Sequence, residues 1–322
     1  MSDDARWMSA ALALGQNARG TTAPNPNVGC VIVKDGRLVG RGATQPGGRP
    51  HAEAVALAEA GDAARGATAY VTLEPCCHRS ARGPACADLL VETGVARVVA
   101  ALQDPWPAVD GSGFERLRAS GVEVEVGTAG DEARQSMAGF LTRQRLGRPF
   151  ITLKLAMSID GRIALPSGES RWITGEEARA AVHANRAHAD MILVGRGTFE
   201  ADNPRLDVRL PGLEHLSPRR ALLTRGDAPG GWEKLGAPHE VFGLADVNDL
   251  LVEGGAGAAA AFLGADLVDR LLVYRAPILI GDGRPAVADI GLASLSDAHG
   301  RWERTETRPV GTDILEVYER TR

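Results

Sequence analysis

A histidine, a glutamate and two cysteines have the types and spacing of a catalytic zinc site. His51 and Glu53 are separated by one residue, and Cys76 and Cys86 follow later in the same half of the chain. A catalytic zinc ion takes three protein ligands and leaves its fourth position to water, whose pKa the metal lowers towards neutrality. We therefore expect His51, Cys76 and Cys86 to hold one zinc ion, and Glu53 to carry protons as the catalytic group.

The order of these residues approximates the signature of zinc deaminases, which is His-x-Glu followed by Pro-Cys-x-x-Cys, with the glutamate as general acid and base. In this chain Pro75 and Cys76 begin the second half of the signature, but Cys86 follows ten positions later. Cys77 is adjacent to Cys76, and neighbouring side chains rarely converge on one ion, so Cys86 is the better third ligand. Cys86 begins a predicted helix, whose positive N-terminus favours a thiolate. The alternative is that His51 and the cysteines are unrelated buried residues.

Composition limits the classes of protein to which the chain can belong. Its 322 residues suggest about two domains. Of its four cysteines, only Cys30 lies outside the group formed by Cys76, Cys77 and Cys86, which is not the pattern of a secreted disulfide scaffold. The net charge of −5 gives no general attraction for nucleic acid. Without a leader or a long apolar run, we expect a cytoplasmic protein with no membrane partner.

The first half of the chain alternates predicted helices with predicted strands, which implies an α/β layer with a partly parallel sheet. His51 and Glu53 lie in the first turn of one helix, and Cys76 follows a strand. The predicted helices are 2–19, 51–60, 86–93, 113–120 and 131–146, and the predicted strands are 28–33, 38–39, 69–73, 95–102 and 122–126, the first two joined by a hairpin turn at Asp35 and Gly36.

A break at Gly147, Arg148 and Pro149 predicts the boundary between two domains, 1–147 and 148–322. The second half is also predicted to be an α/β unit, with strands at 150–157, 191–194, 221–224, 250–253 and 271–279 and helices at 175–188 and 256–264.

A glycine turn joins a strand to a helix at Glu253, Gly254, Gly255, Ala256 and Gly257. Such a turn lets a phosphate approach the backbone at a helix N-terminus, although glycine also ends strands for steric reasons. The turn lacks the full Rossmann spacing, so a different nucleotide-binding fold is indicated.

Two further sites in this half indicate a function. The strand at 221–224 ends at Thr224 and Arg225, where a cation can pair with an additional phosphate of a nucleotide cofactor. Lys154 lies among apolar residues, where an unpaired lysine is rare, and is therefore predicted to be functional.

Taken together, these motifs resemble the RibD family, the bifunctional deaminase–reductases of riboflavin biosynthesis, over nearly the whole chain. The resemblance rests on the segments 22–29, 51–54, 70–76, 153–162, 167–174 and 252–255. It implies a cytidine-deaminase-like three-layer domain at 1–147 and a dihydrofolate-reductase-like domain at 148–322.

The resemblance also implies two consecutive reactions and one partner class, phosphorylated pyrimidines. The first is the zinc-dependent deamination of 2,5-diamino-6-ribosylamino-4(3H)-pyrimidinone 5′-phosphate. The second is the NADPH-dependent reduction of the ribosyl group of 5-amino-6-(5-phosphoribosylamino)uracil to a ribityl chain. We also expect a homo-oligomer, either a dimer or a tetramer.

Carried over residue by residue, the family pattern implies further site residues. Asn25 and His78 match positions that contact the pyrimidine in the deaminase. The positions that match the reductase cofactor site are Ala156, Trp172, Thr198, Asp202, Gly255, Ala256, Gly257, Ala258, Ala259, Ala260 and Ala261. The positions that match the reductase substrate site are Ser170, Arg186, Leu206, Arg209 and Glu253, with Lys154 as a further candidate. Arginines suit a substrate phosphate because a guanidinium forms paired hydrogen bonds with it.

Two other classes of function fit part of the pattern. A nucleic-acid-editing deaminase with an accessory domain would use the same zinc chemistry on a flipped base. Its single-strand grooves need aromatic and basic surfaces, and both the aromatic content of 4% and the negative net charge argue against them. A zinc-stabilised protein without activity would leave Glu53 without a role.

Overall fold

The computed structural model describes residues 3–78 and 83–322. The chain divides into two compact units, Met1–Gly147 and Arg148–Arg322. Ser2, the predicted first residue of the N-terminal helix, lies outside the described residues.

The first unit alternates helices and strands. Its helices are α1 (Asp3–Asn17), α2 (Ala52–Ala60), α3 (Cys86–Glu92), α4 (Ser112–Ala119), α5 (Gly130–Ser136) and α6 (Ala138–Leu146), with short 3₁₀ turns at Pro46–Gly48 and Gly61–Ala64. Its strands are β1 (Gly29–Lys34), β2 (Arg37–Ala43), β3 (Thr68–Val71), β4 (Arg97–Ala100) and β5 (Glu123–Val126). The described strands form one sheet in the order β2-β1-β3-β4-β5. The pairs β1–β2 and β1–β3 are antiparallel, and β3–β4 and β4–β5 are parallel.

Helices cover both faces of this sheet. A side chain at Gly29 of β1 would meet the carbonyl oxygen of Ala11 in α1, and one at Gly42 of β2 would meet that of Ala52 in α2. Gly42 pairs with Cys30, the next residue of β1 after Gly29. Because successive residues of a strand face opposite sides, α1 and α2 lie on opposite faces, and the unit has three layers.

The second unit contains more strands and fewer helices. Its strands are β6 (Phe150–Ser158), β7 (Arg162–Ala164), β8 (Met191–Gly195), β9 (Arg219–Leu223), β10 (Glu233–Leu235), β11 (Asp249–Val252), β12 (Arg270–Ala276), β13 (Arg284–Pro285), β14 (Trp302–Val310) and β15 (Asp313–Arg320). Its helices are α7 (Glu176–Ala187), α8 (Arg196–Asp202) and α9 (Ala256–Gly264), with 3₁₀ turns at Glu214–Leu216, Pro238–Gly243 and Leu295–Ala298.

The main sheet of the second unit has the order β10-β9-β8-β11-β6-β12-β15-β14 within the described part of the chain, and β7 pairs with β13 apart from it. Neighbouring strands from β10 to β12 are parallel, whereas β15 pairs antiparallel with both β12 and β14. The central strands are apolar along their length, as expected for parallel strands covered on both faces. The residues Met191, Ile192, Leu193 and Val194 of β8 are all fully buried.

The structure differs from the sequence-based expectation in two ways: one predicted helix is interrupted, and several elements were not predicted. The helix predicted at 131–146 is interrupted at Met137, whose ψ of 22° separates α5 from α6. The antiparallel pair β14–β15 was not predicted, nor were the short elements β7, β10, β13 and α8. Over residues 3–78 and 83–322, no helix has the length and apolar character needed to cross a bilayer.

Candidate active sites

Three metal-binding side chains converge in the first unit. The Nδ1 atom of His51 lies 3.6 Å from Sγ of Cys76 and 3.3 Å from Sγ of Cys86. The ligand atoms of the group all lie within 4.8 Å of one another. One imidazole nitrogen and two thiolates are a donor set that suits zinc with an open fourth position. The three residues therefore fit the metal that the sequence predicts.

Two of the candidate ligands lie at the start of a helix, and the third lies in the loop after β3. His51 precedes α2 with an extended backbone, Cys76 follows β3, and Cys86 is the first residue of α3. The backbone N–H of Cys86 donates to Sγ of Cys76 at 3.4 Å, so the start of α3 stabilises a thiolate on Cys76. A hydrogen bond from the Cys86 thiol lowers the pKa of Cys76, and the same bond together with burial raises the pKa of Cys86.

Glu53 lies in the first turn of α2, as the second residue of the helix and two positions after His51. Only 3% of the residue is exposed. Burial raises the pKa of Glu53 to about 7, although the nearby charge of His51 opposes the shift. A carboxyl group with a pKa near neutrality can both accept and donate a proton.

The two predicted pyrimidine contacts lie in loops of the same unit. Asn25 belongs to the loop before β1, where its carbonyl oxygen accepts a hydrogen bond from Oγ1 of Thr22 at 3.1 Å. A Cβ atom on Gly48 would come within 1.7 Å of Nδ2 of Asn25, which links Asn25 to the loop that leads to His51. His78 is half-buried and follows Cys76 by two positions.

A cavity of about 960 Å³ opens in the second unit at the carboxyl ends of β6, β8 and β11. Ligands of open α/β sheets bind at this edge. Most of the predicted reductase residues line the cavity: Lys154, Ala156, Ser170, Trp172, Arg186, Thr198, Asp202, Leu206, Arg209, Glu253, Gly255, Ala256, Gly257 and Ala258.

The remaining predicted cofactor residues, Thr224, Arg225, Ala259, Ala260 and Ala261, are not part of the cavity wall. Ala259 and Ala260 are buried on the sides of α9 that pack inward. Arg225 is exposed beyond the end of β9. Thr224 is linked to the cavity wall through Arg196: its Oγ1 accepts a hydrogen bond from Nε of Arg196 at 3.1 Å, and Arg196 lines the cavity.

Glu253, at the end of β11, is the centre of a charged cluster on the cavity wall. Its carboxylate accepts two hydrogen bonds from Arg186, at 2.7 and 3.0 Å, and lies 3.6 Å from Nζ of Lys154. Burial opposes its ionisation, but the charge of Lys154 and the bonds from Arg186 prevail and lower the pKa of Glu253. Arg186 also donates to the carbonyl oxygen of Asp207 at 3.0 Å, so its position is fixed.

The glycine turn after Glu253 leads directly into α9. The N–H of Gly255 donates to Oγ1 of Thr198 at 2.9 Å. A Cβ atom on Gly254 would come within 2.4 Å of the Cβ of Ala258, so only glycine allows β11 to approach α9 this closely. The start of α9 consequently faces the cavity, with its backbone N–H groups available to an anion.

Sequence reasoning missed several arginines of the cavity wall and one histidine. They are Arg171, Arg179, Arg196, Arg205, Arg284 and His183. Arg196 had a signal, because Val194, Gly195 and Arg196 form a second strand–glycine–helix junction. Arg179 had no such signal, because it is linked to the cavity wall by a tertiary contact. Its guanidinium lies 4.6 Å from the ring centre of Trp172, and Trp172 is 65% exposed.

Comparison with known families assigns a different family region to each unit. Residues 1–102 match the cytidine and deoxycytidylate deaminase zinc-binding region. Residues 149–228 and 243–315 match the RibD C-terminal domain.

Curated relatives match over nearly their full length. The riboflavin biosynthesis protein RibD of Haemophilus influenzae is 39% identical, with 98% of this chain and 97% of the relative covered. The RibD protein of Escherichia coli K12 is 42% identical, with 97% and 98% covered.

Solved structures agree with these relatives. RibD from Acinetobacter baumannii superimposes with a TM-score of 0.90 at 36% identity, with 99% of both chains covered. A Thermotoga maritima protein described as a diaminohydroxyphosphoribosylaminopyrimidine deaminase/5-amino-6-(5-phosphoribosylamino)uracil reductase has a TM-score of 0.89 at 31% identity, again with 99% of both chains covered. The α/β fold class and the family resemblance inferred from the sequence are thereby confirmed. The chain belongs to the RibD family of bifunctional deaminase–reductases of riboflavin biosynthesis.

Proposed function

We propose that this chain catalyses two consecutive steps of riboflavin biosynthesis, with deamination in residues 1–147 and reduction in residues 148–322. The substrates are 2,5-diamino-6-ribosylamino-4(3H)-pyrimidinone 5′-phosphate and its deaminated product, 5-amino-6-(5-phosphoribosylamino)uracil. The observation that carries the proposal is the convergence of His51, Cys76 and Cys86 within 4.8 Å, in a unit that also buries Glu53. The described activities of the Thermotoga maritima relative support the same pair of reactions.

In the deaminase, His51, Cys76 and Cys86 would hold the zinc ion. When bound, zinc lowers the pKa of water and makes a nucleophile available at neutral pH. Glu53 accepts a proton from this water and delivers one to the leaving ammonia, which its pKa of about 7 favours. Asn25 and His78 orient the pyrimidine ring.

In the reductase, NADPH would be the reductant for C1′ of the ring-opened ribosyl group. The start of α9 would bind the pyrophosphate through the backbone N–H groups of Ala256 and Gly257, while the N–H of Gly255 donates to Thr198. The charge of Lys154 and the hydrogen bonds from Arg186 hold Glu253 ionised, which leaves Lys154 as the neighbouring group that can donate a proton or orient the sugar.

The substrate phosphate in the reductase would bind the more exposed arginines of the cavity wall. Three of the five N–H donors of Arg186 are used by Glu253 and Asp207. The side chain of Arg209 is 59% exposed and that of Arg205 is 83% exposed. Both arginines pair with Asp207, at 2.9 Å for Arg205 and 3.6 Å for Arg209, and their exposed guanidinium groups keep further N–H donors for an anion in the cavity.

A coupled assay tests the proposal. The purified protein is incubated with the diaminopyrimidine ribosylamine phosphate, and released ammonia is measured first without and then with NADPH. We expect stoichiometric release of ammonia in both samples, and oxidation of NADPH in the sample that contains it. Ammonia released from a single-stranded oligonucleotide, and not from the pyrimidine phosphate, would favour a base-editing deaminase, which neither the charge of the chain nor its relatives support.

We also propose that the protein is a cytoplasmic homo-oligomer, either a dimer or a tetramer. The unpaired thiols of Cys30, Cys76, Cys77 and Cys86 support a reducing compartment. Light scattering of the purified protein measures the oligomeric state, and a monomer at micromolar concentration would contradict the second part of the proposal.

A further inference from the structure

A buried carboxylate close to the candidate zinc ligands anchors a neighbouring loop. Glu74 is 3% exposed and precedes Cys76 by two positions. Its Oε2 accepts N–H bonds from Asp104 at 3.2 Å and Gly111 at 2.9 Å. Its Oε1 accepts N–H bonds from Gly113 at 2.8 Å and Phe114 at 3.3 Å. These four bonds fix the segment from Asp104 to the first residues of α4 against the Cys76 segment. We call residues 104–113 the 104–113 loop.

The 104–113 loop contacts the candidate site at two points. Val109 is 1% exposed and packs with Cys76 and Cys86. Trp106 lies with its ring centre 4.9 Å from that of His78, at an interplanar angle of 82°, which is the edge-to-face arrangement that aromatic pairs favour. The N–H of Trp106 donates to Oδ1 of Asp104 at 2.9 Å, so the backbone of the tryptophan is held from within the loop.

Trp106 packs against a ring that no bond at Nδ1 holds in place. The Nδ1 atom of His78 is buried and has no hydrogen-bond partner among residues 3–78 and 83–322. The edge-to-face contact with Trp106 restricts the orientation of this ring by packing.

We propose that Trp106 is a positioning residue of the deaminase, which acts through His78, and that Glu74 holds the loop that carries it. The inference rests on the proposed function, in which His78 orients the pyrimidine. Loss of Trp106 therefore weakens substrate binding, while the zinc ligands and the reductase site keep their geometry.

Three variants separate this role from a general structural one. Trp106→Ala should raise the KM of deamination by roughly three- to tenfold, the range expected for loss of an aromatic pair, with a smaller change in kcat. Trp106→Phe should restore most of the affinity, because phenylalanine keeps the edge-to-face contact. Trp7→Ala is the matched control, since Trp7 is half-buried in the same unit but contacts Arg6. Zinc content and reduction of separately supplied substrate should be unchanged in all three.

A double-mutant cycle with His78→Ala provides the decisive measurement. If Trp106 acts through His78, Trp106→Ala should not raise KM further in the His78→Ala background. Fully additive effects, or an unchanged KM in Trp106→Ala, would overturn the inference. Failure of the proposed function gives a different result, because the unmodified protein would then release no ammonia.

Discussion

Adjacent cysteines have different surroundings in the first unit. Cys76 lies against His51 and Cys86, whereas Sγ of Cys77 is directed at the carbonyl oxygen of Ala108, 3.8 Å away. Cys86→Ser should therefore lose most of its zinc, since a hydroxyl replaces a thiolate ligand. Cys77→Ser should keep one zinc per chain. Metal analysis of both purified variants measures the difference, and full zinc occupancy in Cys86→Ser would disprove the ligand assignment.

Glu53 provides a second test at the scale of single residues. Glu53→Gln preserves the size of the side chain but removes its acid–base function, so it should keep zinc and lose ammonia release by about 10²–10⁴-fold. Reduction of the deaminated substrate should continue at the normal rate. Ammonia release at the unmodified rate would show that another group carries the proton.

The residues that the sequence could identify are those that perform chemistry with few alternatives. His51, Cys76 and Cys86 were predicted together because metal ligands come from a short list of residue types and the two halves of the deaminase signature are present, and the structure brings the three side chains within 4.8 Å of one another. Glu74 and Trp106 were missed because their contacts are tertiary: Glu74 bonds to Gly111 of the 104–113 loop, and Trp106 of that loop packs on His78. No local pattern reveals a bond between residues so far apart in the chain.

At the scale of elements, the buried parallel strands were predictable, whereas the antiparallel pair β14–β15 was not. β8 and β11 are largely apolar segments, and each predicted end of these two strands lies within one residue of the observed end. β14 is exposed along nearly its whole length, and its sequence of alternating acidic and basic residues lacks the apolar face that identifies a strand. It is a strand because β15 provides hydrogen-bond partners, which only the tertiary fold supplies.

The ends of two elements bear on the choice between NADPH and NADH. Arg225 follows β9, and Arg196 begins α8 and is tied to Thr224. Either cation can pair with the 2′-phosphate, which NADH lacks. We expect Arg225→Ala and Arg196→Ala to raise the KM for NADPH more than that for NADH, and Arg196→Ala to have the larger effect because Arg196 lines the cavity.

Steady-state kinetics with both cofactors measure this preference. Lys234→Ala is a suitable control, since Lys234 is an exposed cation on the neighbouring strand β10 and is not part of the cavity wall. Equal use of NADPH and NADH by the unmodified protein would refute the preference.

At the scale of the whole molecule, each unit has its own hydrophobic core. Residues of α1, α2, β1, β3 and β4 form the core of the first unit, and residues of β6, β8, β11 and α9 form the core of the second. Each active site is therefore supported by packing within its own unit. The zinc ligands add only a small cluster with Val109, so the metal is not the main source of folding energy.

Removal of zinc should consequently separate the two activities. Prolonged dialysis against a chelator should abolish ammonia release, because His51, Cys76 and Cys86 would no longer hold the metal that makes the nucleophile available. NADPH oxidation with supplied 5-amino-6-(5-phosphoribosylamino)uracil should stay within about twofold of the untreated rate. The reason is that the cavity of the second unit includes no metal-binding cluster among the described residues. Readdition of zinc should restore ammonia release, which controls for irreversible damage. Parallel loss of both activities on chelation would mean that the second unit depends on the metal, contrary to the separate cores.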